Sequence, residues 1–207
     1  MVEGERLFFY YSGHGVRVPD TNGDEPDGWD DSLVPHDFSK VRPFLDDEIR
    51  AFRARVPATA KMILVFDCCH GGGMPRAPMS TSAADAERQA QRQVRYVSPL
   101  SRDLYSHAQL QQLQRHKQSC GIEAIAENFI CLAACGRDEQ AYEQPLENRR
   151  HGVFTYALGQ ILKARGPTAT AHEIERDSQE FISRLGIEFQ VPCVLGNRAY
   201  YDIPLFD

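Results

Sequence analysis

The chain has 207 residues, 42% hydrophobic and 25% charged, the composition of a folded globular domain and not of a disordered one. Its 23 Lys and Arg against 29 Asp and Glu leave a net charge of −6, which argues against a nucleic-acid surface because counterion release needs a basic face. No apolar run reaches the roughly 18 residues of a membrane span, and six cysteines, two of them adjacent, do not read as a secreted disulfide framework.

In chain order, the first predicted strand is Leu7-Phe8-Phe9-Tyr10-Tyr11. The polar residues Met1 to Arg6 before it do not read as a signal peptide, so a reducing, cytoplasmic compartment is the expectation. Leu45, Ile49, Phe52 and Val56 then recur at helical spacing, and Met62-Ile63-Leu64-Val65-Phe66 predicts the second strand. From about Pro75 to Gly121 runs an insertion rich in Gln, Arg, Ser and Ala, in which Ala108 to Gln118 reads as a weak helix. The third strand is Phe129-Ile130-Cys131-Leu132-Ala133. Two helices follow, one on Phe154, Leu158, Ile161 and Leu162, the other on Ile174, Ser178, Phe181 and Leu185. Each strand is a continuous apolar run, the pattern of strands covered on both faces. The order predicts one α/β domain with a mainly parallel sheet.

Ligands of open α/β sheets bind outside the carboxyl ends of the strands. The first strand runs into Ser12-Gly13-His14-Gly15 and the second into Asp67-Cys68-Cys69-His70-Gly71-Gly72-Gly73. Parallel neighbours bring a histidine and a cysteine to one rim, where an imidazole holds the thiol as the nucleophilic thiolate. Glycines beside both residues let backbone N–H groups turn toward a substrate carbonyl. The residues read as a Cys/His hydrolase.

These motifs resemble those of the metacaspases, caspase-like cysteine peptidases: Tyr11 to Gly15, Asp67 to Gly72, Gly23 to Asp37, Leu45 to Ile49, Cys131 to Cys135, Asp138 to Glu143 and Gly152 to Leu158. The resemblance implies a caspase-like three-layer αβα sandwich over residues 1–207. Residues 1–74 carry the His and Cys strands, 75–121 form an insertion and processing linker, and 122–207 make the remainder. It makes His14 the general base, Cys69 the nucleophile, and the N–H groups of Gly15 and Cys69 the oxyanion donors. Side chains alternate along a strand, so Cys68 is expected to face away from the cleft. Asp67 and Ser12 are expected to bind a basic P1 side chain, because an acidic pocket favours Arg or Lys and repels Asp.

The family's calcium ligands match Asp30, Asp46 and Asp47, while the fourth position is Arg76, whose charge weakens such a site. The bland reading of those aspartates is a solvated loop and a helix N-terminus. The chain opens almost on the His strand, so the family's N-terminal strands are expected to be missing and a complementing N-terminal segment or chain is the expected partner. Self-cleavage is expected after one of Arg88, Arg92, Arg95, Arg102, Arg115 or Lys117, on polar sequence suited to proteolysis. His70 is expected to be structural, Cys131 and Cys135 to pack in the core and not bind zinc, and Glu143 to pair locally. The function read from all this is a cysteine endopeptidase that cuts protein substrates after Arg or Lys. Its rivals are a catalytically silent caspase-fold interaction module and, more weakly, Asp-specific cleavage.

Overall fold

The five residues from Met62 to Phe66 are all buried, and the rest of the domain is arranged around them. The computed structural model describes residues 4–20, 23, 25, 28–38, 42–69, 87, 90–97, 128–136 and 139–206. Its strands are β1 (Arg6–Ser12), β2 (Gly15–Pro19), β3 (Trp29–Leu33), β4 (Phe44–Leu45), β5 (Lys61–Asp67), β6 (Gln93–Val94), β7 (Phe129–Ala133), β8 (Tyr142–Leu146), β9 (Arg149–Gly152) and β10 (Cys193–Gly196). Its α-helices are α1 (Asp46–Arg53), α2 (Val153–Arg165) and α3 (Ala171–Arg184). The central sheet has the order β1-β5-β7-β10, parallel except for β10.

Alternation along β5 divides its side chains between two layers. Ile63 and Val65 join Ile130 and Leu132 of β7 beneath Phe154, Leu158 and Ile161 of α2 and Ile174 of α3. On the opposite face Met62, Leu64 and Phe66 pack with Val56 and with Ile49 of α1. The result is an αβα sandwich with a mainly parallel sheet. Helix α3 starts with a capping box, in which Thr170 Oγ1 accepts the Glu173 N–H at 3.2 Å and the Glu173 carboxylate accepts the Thr170 N–H at 3.0 Å. Helix α2 has no side-chain cap of its own at Gly152; its first turn is used by the site described below.

Two sequence expectations are corrected. Strand β1 is an edge of this sheet among the described residues, and it is not covered on both faces: Phe8 is 52% and Tyr10 41% exposed. An apolar run alone does not reveal how many neighbours a strand has. The first helix is shorter than its apolar spacing suggests, with Leu45 in β4, Val56 beyond the helix end and Phe52 43% exposed. The expected insertion lies largely outside the described residues, as does its weak helix, but Gln93 and Val94 within it form β6.

Two small antiparallel sheets stand at the carboxyl rim. One has the order β2-β3-β4, and β2 leaves the end of β1 after only Gly13 and His14. The other has the order β6-β8-β9 and joins β6, which precedes β7 in the chain, to the hairpin that follows β7. Its β8–β9 hairpin turns on Glu147 and Asn148, both at positive φ, as a tight turn matching strand twist requires.

The layered core predicts a sharp contrast in stability. Leu132→Ala, at a position 1% exposed, should lower the unfolding free energy by about 2–5 kcal/mol. Phe8→Ala, on the open edge, should cost under about 1.5 kcal/mol, its edge-to-face contact with Phe206 included. Urea denaturation of the two variants measures both.

Candidate active site

Ser12 of β1 lies directly opposite Asp67 of β5 in the parallel register. The two chains therefore leave the sheet side by side, one into Gly13-His14-Gly15 and the other into Cys68-Cys69. Gly15 must be glycine, because a Cβ there would overlap the carbonyl oxygen of Cys69. Cys68 and Cys69 face opposite layers: Cys68 packs with Met62 and Phe66, Cys69 with Ile63, Cys135 and Ala141. Burial, then the charge of Asp67, pushes the Cys68 thiol well up. The Cys69 thiol is lowered, first by a hydrogen bond with Cys135, against the opposing effect of burial. Its Sγ accepts the Ala141 N–H at 3.1 Å and approaches the Ala141 carbonyl oxygen at 3.4 Å. His14 is exposed on the rim. Its imidazole makes no hydrogen bond to Cys69 among the described residues; its backbone carbonyl accepts from Tyr11 at 2.7 Å and Val34 at 3.1 Å.

Arg95 fills the space between these groups. Its Nη1 meets Asp67 Oδ2 at 2.9 Å, the Asp67 carbonyl at 3.0 Å and Ser12 Oγ at 2.7 Å. Its Nε lies 3.7 Å from Glu143 Oε2, and Glu143 also pairs with Arg150. Asp67 is fully buried and is held from its other side by the first turn of α2: Thr155 donates its N–H at 2.9 Å and its hydroxyl at 2.5 Å to the same Oδ2. A carboxylate at a helix N-terminus is favoured by the unpaired amides and the helix dipole. Gly152 forms part of the pocket wall, where a Cβ would overlap both the Arg95 guanidinium and the Asp67 carboxylate. The Arg95 carbonyl accepts the N–H of Gly15 at 3.0 Å and the N–H of Cys69 at 3.3 Å.

The structure thus brings Ser12, Gly15, Asp67 and Cys69 around one peptide group. Asp30, Asp46 and Asp47 form a separate cluster where β3 meets the start of α1, with Asp30 and Asp47 buried. Burial, then the neighbouring Asp47, Asp30 and Asp31, raises Asp46 to about 7. The cluster carries the charge for a hard cation. No group of three metal-ligating side chains converges into a coordination shell among the described residues, so no step is derived through calcium. Arg76 and His70 lie outside the described residues. Cys131 and Cys135 face opposite layers of the sheet and cannot share a metal, and burial raises Cys131 to about 12.

Several residues of the pocket were not assigned by sequence reasoning: Thr155 and Gly152, which hold and shape the Asp67 pocket, Ala141, and Cys135 as the hydrogen-bond partner of Cys69. Arg95 stood only as one of six basic positions in the insertion. The motif Gly152 to Leu158 was visible, but its role is carried by the packing of α2 on the rim. A cavity of about 250 Å³ is lined by Leu64, Phe66, Ile49 and Cys131 and reaches Asp46, Cys68 and Cys69.

Residues 1–78 match the metacaspase peptidase C14 domain. Metacaspase-3 of Arabidopsis thaliana is 29% identical over 82% of this chain and 43% of its own. Metacaspase-1 of Candida glabrata is 40% identical over 38% of this chain and 20% of its own, so the chain spans less than half the length of these curated relatives. Protein GSU0716 of Geobacter sulfurreducens shares the fold with a TM-score of 0.67 over 99% of this chain and 72% of its own, at 19% identity.

The hydrogen bond between Cys69 and Cys135 sets a pH test. Cys135→Ala should move the pH midpoint of Cys69 alkylation upward, since the lowered thiol then loses its largest stabiliser. Iodoacetamide labelling rates measured by mass spectrometry across pH read this directly. By its matching domain and its relatives, the chain is similar to the metacaspases.

Proposed function

We propose that this domain is a cysteine endopeptidase that cuts peptide bonds after Arg, and after Lys more weakly. The single observation that carries the reading is the bound state of Arg95: its guanidinium on buried Asp67 and its carbonyl on the N–H groups of Gly15 and Cys69. A P1 arginine placed likewise has its carbonyl polarised by two fixed donors beside a thiol of lowered pKa. His14 takes the Cys69 proton, the thiolate attacks the carbonyl carbon, the C–N bond breaks, and the leaving amine takes that proton back from His14. Water then hydrolyses the thioester, releasing the carboxylate and restoring the thiol. Asp67 selects a cation because an uncompensated buried carboxylate is costly, and an acidic P1 side chain would be repelled. Lys has one ammonium where Arg has a fork, so it pairs with Asp67 but not with the same geometry.

The rival, a silent interaction module, draws on the thiol being engaged by Ala141 and not by His14. A reducing cytoplasm suits the domain, since five described cysteines are free thiols and the nucleophile must stay reduced.

Fluorogenic peptides ending in Arg, Lys, Gln or Asp test the reading. Arg should be cleaved on the order of 100-fold faster than Gln, the cost of leaving Asp67 unpaired, with Asp uncleaved and all activity lost in Cys69→Ala. Equal rates for Arg and Gln would remove the acidic pocket; a folded chain inactive on every peptide, with and without calcium, would leave the silent module.

A further inference from the structure

Helix α1 packs on the sheet face opposite α2 and α3, and between it and strands β5 and β7 lies the cavity of about 250 Å³. From Asp46 to Arg53 the helix rises about 10 Å, and both side chains line the cavity. The walls between them are apolar: Leu64 and Phe66 of β5, Cys131 of β7 and Ile49 of α1. Cys131 belongs with the apolar residues because burial raises its thiol to about 12 and keeps it neutral. The two ends differ in charge. Asp31 and Asp46 stand near the carboxyl rim, while Arg53 stands at the start of β7, its guanidinium carbon 3.3 Å from the centre of the Phe129 ring.

Arg53 is unusual among the cations of this face. Its Nε and Nη2 are buried and have no hydrogen-bond partner among the described residues. Arg50, one turn earlier, lies 3.2 Å from Asp47 and 3.9 Å from Glu25. A buried cation without an acceptor is costly. Stacking on Phe129 and the carboxyl end of α1 offset part of that cost, but neither gives those N–H groups a hydrogen bond. Burial accordingly lowers the Arg53 pKa.

The chemistry that satisfies both features is an apolar chain ending in one anion. A carboxylate matches the planar fork of an arginine with its two oxygens. The volume falls below the roughly 300–1,000 Å³ of sites for drug-sized ligands, which limits the chain to medium length. The acids at the rim end disfavour a second anionic group there, so a monocarboxylate fits better than a dicarboxylate or a phosphorylated molecule.

We propose that the cavity between α1 and the sheet is a binding site for a medium-chain fatty acid, with its carboxylate on Arg53 and its alkyl chain along Leu64, Phe66 and Cys131. The covered edge of the guanidinium turns to the carboxylate on binding. Nothing in this site depends on peptidase activity, since Arg53 meets the first residue of β7 and Asp67 is the last residue of β5.

Calorimetric titration of the purified full chain with octanoate, 1-octanol and butyrate at neutral pH is the test. Octanoate should bind about tenfold more tightly than 1-octanol, the gain from charge-assisted hydrogen bonds to the carboxylate. Butyrate should bind on the order of 100-fold more weakly than octanoate, having four fewer methylenes to bury. Arg53→Met keeps an unbranched stem on Phe129 and removes the unpartnered cation, so its thermal midpoint should match the wild type. It should bind octanoate about tenfold more weakly and 1-octanol unchanged. Ile49→Trp fills the cavity from the helix side and should bind neither. Octanoate binding no tighter than 1-octanol, full octanoate affinity in Arg53→Met, or retained binding in Ile49→Trp would each overturn the site, as would a wild-type chain that does not bind octanoate at millimolar concentration. Should Ile49→Trp fail to fold, the Arg53→Met comparison decides alone.

Discussion

The structure turns on one buried carboxylate. Asp67 has no exposed surface, and an ionised group in that position is tolerated only when it is paired and hydrogen-bonded. Its Oδ2 receives the first turn of α2 through Thr155 and the Arg95 guanidinium, while Oδ1 has no hydrogen-bond partner among the described residues. Removing one partner of such a pair leaves an uncompensated charge and costs about 3–5 kcal/mol. The end of β5, the start of α2 and the segment carrying Arg95 are consequently tied at a single point. The proposed preference for a cationic P1 side chain rests on the same electrostatic demand that holds these elements together.

Close backbone approach is the second constraint, and it explains why the rim is glycine-rich. Gly15 lies against the Cys69 carbonyl and Gly152 against the Arg95–Asp67 pair, so neither position has room for a Cβ. The parallel register of Ser12 with Asp67 sets the two loops at equal height. From there the amides of Gly15 and Cys69 converge on one carbonyl oxygen. The thiol is tuned from beneath the sheet end, by Cys135 and Ala141, while His14 stands on the solvent side. Cys68, one residue earlier, points into the opposite layer, where burial keeps its thiol protonated.

The two small rim sheets give the cleft its walls. Strand β8 presents a backbone edge to Gln93 and Val94, and β2 begins at the residue that binds both Arg95 and Val97. Arginine at position 92 meets the carboxyl end of α3, where the carbonyls of Leu185 and Gly186 accept its guanidinium. Strand pairing and two arginine contacts act on the same six residues, 92–97, and fasten this stretch to the core.

Much of the frame is legible in the sequence. The apolar runs at 7–11, 62–66 and 129–133 and the helical spacing at 154–162 and 174–181 fall within β1, β5, β7, α2 and α3, with Leu185 one residue beyond the end of α3, because burial on a sheet or under a helix imposes a period that a single chain displays. The glycine-flanked His14 and Cys69 are equally visible, since positions at strand ends follow from the strands. Strands β2, β3, β6 and β8 are not, being short and half-polar, with pairings fixed by neighbours far away in the chain. Nor does an apolar run disclose that β1 is an edge with Phe8 and Tyr10 exposed. The sequence by itself determined the layered α/β frame and the residue types at its rim. Only the tertiary structure decided which arginine of the insertion meets Asp67, and that Thr155 and Cys135 support the site, because those contacts join residues 28 to 88 positions apart and leave no periodic trace.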